Sequence, residues 1–88
     1  MRLPTDGQEY VRIQFTAYPT GVTAEASIDR TNWVSISVDA NGLGLFLVRG
    51  PGSSQSQGTL VSSNCDVWVR VDGTPEQVVR KAGTITLE

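Results

Sequence analysis

Apolar and polar residues alternate along most of this chain with a period of two. Val11, Ile13, Phe15 and Ala17 interleave with Arg12, Gln14, Thr16 and Tyr18, which predicts a strand over residues 9–18 with one apolar and one wetted face. Ala24, Ala26 and Ile28 keep phase through a second strand, residues 22–28. Val34, Ile36 and Val38 are expected to face inward along a third, residues 33–38, with Ser35 and Ser37 outward. Residues 43–48 read differently, because Leu43, Leu45 and Leu47 lie on one face and Phe46 and Val48 on the other, so both faces are apolar. A short strand over 59–62 follows, then Cys65, Val67, Val69 and Val71 in phase over 65–71, then a closing strand over 78–87 with a bulge or bend at Gly83.

Between these segments stand turn residues. Pro19-Thr20-Gly21, Asp29-Arg30-Thr31-Asn32, Asp39-Ala40-Asn41-Gly42 and Gly73-Thr74-Pro75-Glu76 each break the alternation. Asn-Gly is a strong hairpin signal. Residues 49–58, rich in Gly, Ser and Gln, predict a flexible surface loop. No segment repeats apolar residues at helical spacing, so helices are not expected. Seven strands at this spacing predict an all-β, seven-stranded antiparallel sandwich over residues 9–88, preceded by a flexible arm over 1–8. Leu87-Glu88 is read as partly a cloning-site remnant, and Glu88 is given no functional weight.

Composition narrows the chemistry. At 88 residues there is room for one core, and 39% hydrophobic content suffices to pack it. Histidine is absent, which removes the commonest general base and metal ligand. The single cysteine, Cys65, forms no intrachain disulfide and completes no ordinary zinc site. It reads as a small buried hydrophobe on the valine face. Asp29, Asp39, Asp66 and Asp72 sit at separate strand ends without a calcium-loop spacing, and read as turn caps. Catalytic, metal and cofactor residues are therefore not expected, nor is a small-molecule substrate. The net charge is −2 and the basic residues are scattered, so neither nucleic acid nor an anionic membrane is an expected partner. Lack of disulfides and of an apolar leader predicts folding in a reducing cytoplasm.

Binding is the remaining class. If Val67, Val69 and Val71 face inward, Asp66, Trp68 and Arg70 face outward, and Trp and Arg are enriched in binding hot spots. Trp68 also admits a core placement, with the valines on the opposite face; Trp33 admits one as well, since sandwiches often bury a tryptophan in the third strand. Contact residues expected from the pattern are Tyr10, Arg12, Phe46, Trp68 and Arg70, with loop 49–58 as a further binding segment. The stretch Ser27-Ile28-Asp29-Arg30-Thr31-Asn32-Trp33 resembles the hairpin box S-x-D-x-G-x-T-W of sialidase-like propellers, but lacks its glycine and is one residue short. It implies a hairpin and no catalysis.

The phrases Val11-Arg12-Ile13-Gln14-Phe15, Ala26-Ser27-Ile28-Asp29 with Trp33, Leu47-Val48-Arg49-Gly50-Pro51, and Pro75-Glu76-Gln77-Val78-Val79-Arg80-Lys81-Ala82-Gly83-Thr84-Ile85 are similar to small virion proteins of tailed phages and prophages of actinobacteria. The likeness spans residues 9–86 and is one of strand pattern and turn phrasing. It implies an immunoglobulin-like sandwich made in the host cytoplasm and built into the virion at capsid, head–tail joint or tail. The implied partners are other virion proteins or further copies of the chain. Two other readings stand beside it: a carbohydrate- or surface-binding module in which Trp33 or Trp68 stacks on a sugar, and an immunoglobulin-like spacer domain.

Overall fold

The computed structural model describes residues 1–15, 23–72 and 77–88. Its elements are all strands: β1 (Arg2–Leu3), β2 (Gln8–Gln14), β3 (Thr23–Ser27), β4 (Val34–Ile36), β5 (Leu43–Arg49), β6 (Thr59–Leu60), β7 (Cys65–Asp72) and β8 (Gln77–Leu87). They form two sheets, a five-stranded one in the order β1-β8-β7-β3-β4 and a three-stranded one in the order β2-β5-β6. The core lies between them. Ile13, Phe46, Val48 and Val61 come from one side, and Ala26, Val67, Val69 and Ile85 from the other. The expected turns at Pro19-Thr20-Gly21 and Gly73-Thr74-Pro75-Glu76 lie outside the described residues.

Period-two patterning sorts most side chains correctly. Val67 and Val69 are buried, as are Ala24 and Ala26 on the neighbouring β3. Register explains the agreement: Ala26 pairs with Val69 and Ala24 with Val71, and residues directly opposite in an antiparallel pair project to the same side. The bulge also falls where glycine announced it. Val67 pairs with Gly83 and Trp68 with Lys81, so Ala82 is the extra residue.

Four expectations are corrected. There are eight strands among the described residues instead of seven, because Arg2–Leu3 lies parallel to β8 at Thr86 and Leu87. The segment expected as a free arm thereby closes one end of the core, with Leu3 fully buried. A two-residue strand has no periodicity to read, which is why the pattern missed it. The sandwich is not wholly antiparallel either, since β5 and β6 also run parallel. Val34 is exposed, because β4 is the outermost strand of its sheet and no described strand covers that margin. Beyond it the chain leaves the large sheet, and Val38 bridges to Gly44 of β5 in the small one.

Loop 49–58 is held more firmly than its composition suggests. Gly50 N donates to Gly7 O at 2.9 Å, and Gly52 N to Thr5 O at 2.7 Å. Gln8 Nε2 donates to Gln57 O at 2.7 Å. Gly50 is buried against the backbone of Pro4 and Thr5, so close that a Cβ there would collide with the Thr5 carbonyl. Leu87 packs on the core margin, and its N–H donates to Asn64 Oδ1 at 2.9 Å. It is thus an integral part of the fold.

Candidate interaction surfaces

Each sheet has an outer face, and the contact residues expected from the sequence divide between them. On the outer face of the large sheet, Trp68 and Arg70 of β7 stand beside Glu25 of β3, because Ser27 pairs with Trp68 and Glu25 with Arg70. Arg70 Nε donates to Glu25 Oε1 at 2.9 Å, both side chains being about one-quarter exposed. The guanidinium of Arg70 also lies over the Trp33 ring, 4.3 Å from its centroid. Arg30 covers the Trp68 ring in the same way at 4.6 Å. Lys81 Nζ and Asp66 Oδ1, 3.4 Å apart, complete the row. This face is polar on top and aromatic beneath, and its charges answer one another.

The β3–β4 connection puts Arg30 in place. Ser27, itself fully buried, accepts hydrogen bonds at its Oγ from Asp29 N and Arg30 N and donates to Asp29 Oδ1. Asp29 Oδ1 then accepts from Thr31 N and Asn32 N, and Asn32 Nδ2 donates to Asp29 Oδ2, each at 2.9 Å. These donors hold the Asp29 carboxyl well below the usual carboxylate range, the Asn32 backbone N–H foremost and that of Thr31 next. Arg30 takes a left-handed φ of 63°, a conformation that a side chain with a Cβ adopts at a cost. The degenerate box does make a hairpin, as its sequence implied. Asp39 caps the next turn, its Oδ1 accepting from Asn41 N and Leu43 N.

The outer face of the small sheet is of another kind. Tyr10 pairs with Leu47, Arg12 with Leu45, Gln14 with Leu43 and Gln8 with Arg49. Tyr10 is 56% exposed, Leu45 41% and Leu60 45%. Val34 and Leu45 also line a groove of about 460 Å³ between β4 and β5. Among the described residues neither Arg12 nor Arg49 forms an ion pair, and the Nε of Arg49 is shut off from solvent without a hydrogen-bond partner. A desolvated donor without an acceptor costs roughly 1–3 kcal/mol and calls for an explanation.

Of the five expected contact residues, Tyr10 and Arg12 thus share the small sheet's face, while Trp68 and Arg70 share the large one. Phe46 belongs to neither. At 1% exposure it is the largest fully buried side chain, and it cannot contact a partner without unfolding. The double-apolar reading of 43–48 was right, but its outward side is the leucine side. The leucines were visible in the alternation; which of two apolar faces meets the other sheet was not. Cys65 packs at the core margin, where burial pushes its thiol pKa up and the neighbouring Asp66 carboxylate adds to the shift.

The guanidinium groups of Arg70 and Arg30 each cover a ring face on which a sugar could otherwise stack. No protein-family model matches this sequence, and no curated protein or solved structure matches it either.

Proposed function

We propose that this chain is a non-enzymatic assembly protein, a structural component of a phage or prophage virion that acts through protein–protein contacts. The observation that carries the reading is the outer face of the small sheet. Exposed Tyr10, Leu45 and Leu60 form with half-buried Leu47 an apolar patch flanked by Arg12 and Arg49, cations that form no ion pair among the described residues. Apolar patches rimmed by polar residues mark interaction sites. The free guanidinium groups favour a neighbour whose own apolar patch is edged by carboxylates. In a symmetric particle, a weak contact per copy gains strength through avidity.

We further read the sandwich as a variant of the immunoglobulin-like arrangement. The sheet β8-β7-β3-β4 facing β2-β5-β6 supports this, being the division into a G-F-C-C′ sheet and a B-containing sheet that such domains use. The parallel β5–β6 pair departs from it, as does Trp33, which stacks under Arg70.

Mass spectrometry of purified particles from an induced lysogen tests the virion assignment. The chain is expected as a stoichiometric component, and Leu45→Glu is expected to lose its place in the particle while melting within about 1 kcal/mol of the parent protein. Particles that lack the unmodified chain, or that take up the Leu45→Glu protein in full, overturn the reading.

A further inference from the structure

A second surface lies along the seam where the two sheets open. β2 is the edge of the small sheet, and β8 is covered on its outer side by β1 only at Thr86 and Leu87. From Gln77 to Gly83 no described strand pairs with that side of β8. Between the two open edges runs a groove of about 470 Å³ that includes Arg12, Ile13, Val69 and Arg80. A second groove, of about 350 Å³, shares Arg12 and Ala82 with the first and continues the seam past Val67 and Gly83 to Met1.

Two residues of β8 leave this seam unfilled. Arg80 pairs with Val69 and Gly83 with Val67, so both occupy the core-facing side of the strand. Where a sandwich needs apolar filling, β8 offers a cation and a hydrogen atom. A Cβ built on Gly83 meets nothing within 4 Å, so the space over it is open. Arg80 is exposed and forms no ion pair among the described residues. The chain itself shows how this edge is capped. At the far end of the same line, β1 adds alongside β8, with Met1 N donating to Thr84 O, Thr86 N to Met1 O and Glu88 N to Leu3 O, and buries Leu3.

We propose that the β8 edge, from Arg80 to Gly83, accepts an extended segment of a different protein as an added strand in line with β1. Its inward positions place a carboxylate against Arg80 and, two residues away, a large apolar side chain over Gly83. The chemistry selects this occupant. An inward charge on an edge strand repels a purely apolar strand, and a second copy pairing through the same edge in the register centred on Arg80 would set Arg80 against Arg80. An acidic residue removes that penalty, and main-chain hydrogen bonds supply the rest of the affinity, as in strand addition generally. The site borders the leucine face at Tyr10 and Arg12 but is built on the β8 edge, and it does not depend on the virion assignment.

The probe is a short synthetic peptide carrying glutamate and leucine at alternate positions between threonines, with a version bearing lysine for glutamate as its control. Titration followed by amide NMR is expected to shift and protect backbone amides of β8 between Val79 and Thr84, leaving those of β5 unmoved. Arg80→Glu is expected to weaken the glutamate peptide about fivefold or more and to reverse the preference toward lysine. Gly83→Val fills the open space, so it is expected to raise the melting temperature of the free protein and abolish peptide protection. Equal binding of both peptides, β8 amides that stay unprotected, or full binding by a folded Gly83→Val protein would each overturn the proposal. So would protection of the same amides by the protein's own dimer at higher concentration. The Leu45→Glu protein should bind the peptide normally, which keeps failure here distinct from failure of the leucine-face reading.

Discussion

The outer face of the large sheet and that of the small sheet carry similar ingredients, aromatic rings and arginines, and use them in opposite ways. On the outer face of the large sheet the two arginines beside the tryptophans are engaged: Arg70 holds Glu25 and lies over Trp33, and Arg30 lies over Trp68. On the small sheet Arg12 and Arg49 form no ion pair among the described residues, and Tyr10 and Leu45 are open to solvent. A face whose charges and rings already satisfy one another gains little from a partner, since docking must first break those contacts. A face with exposed leucines gains apolar burial when a partner covers it. The presence of Trp and Arg thus says less about binding than whether they are already engaged.

The sharpest way to break this comparison is within β5. Phe46→Ala should cost about 3–5 kcal/mol in urea denaturation, whereas Leu45→Ala should cost under about 1 kcal/mol. Comparable losses would mean that the leucine face is structural and not available for docking. On the large sheet, a double-mutant cycle of Glu25→Gln and Arg70→Met should return a coupling of about 0.2–1 kcal/mol, since both side chains are partly exposed. Zero coupling would remove the contrast in charge satisfaction. Arg30→Ala should be less stable than Arg30→Gly by about 1 kcal/mol, because glycine alone relieves the left-handed backbone while both lose the cation over Trp68. Both should change the emission of Trp68, which tryptophan fluorescence resolves in a Trp33→Phe background.

The smallest effect is acid-dependent. The folded pKa of Asp29 is depressed by its hydrogen bonds, so its contribution to stability is complete above the ordinary carboxylate value near 3.8 and is lost as pH falls below it toward the folded pKa. Melting temperatures from pH 6 to pH 2 should therefore fall more steeply for the parent chain than for Asp29→Asn. Parallel curves would show that the turn does not depend on the charge.

Much of this molecule was legible in the chain. Alternation located six of the eight strands, a short strand was expected over 59–62 where β6 forms, turn residues marked the hairpin at Asp39–Gly42, and Gly83 marked the bulge. The site was less legible. Tyr10, Arg12, Trp68 and Arg70 were all placed on outward faces, yet nothing in their order shows that two are already engaged and that Arg12 has no ion pair among the described residues. Phe46 shows the limit most plainly, since a strand apolar on both sides has no local signal to say which side is covered. Arg49, on the small sheet's face, entered the reading only as part of a loop.

Local periodicity is a property of neighbours along the chain, and it determined which residues form strands and which share a face. Pairing partners tens of residues apart lie beyond its reach. Only the tertiary structure decided that Leu3 caps β8, that Phe46 rather than Leu45 is buried, that Arg30 and Arg70 shield the tryptophans, and that Arg80 and Gly83 leave a seam open. Each of these depends on which sheet face has a layer above it and how far that layer extends, which is settled when the two sheets pack together.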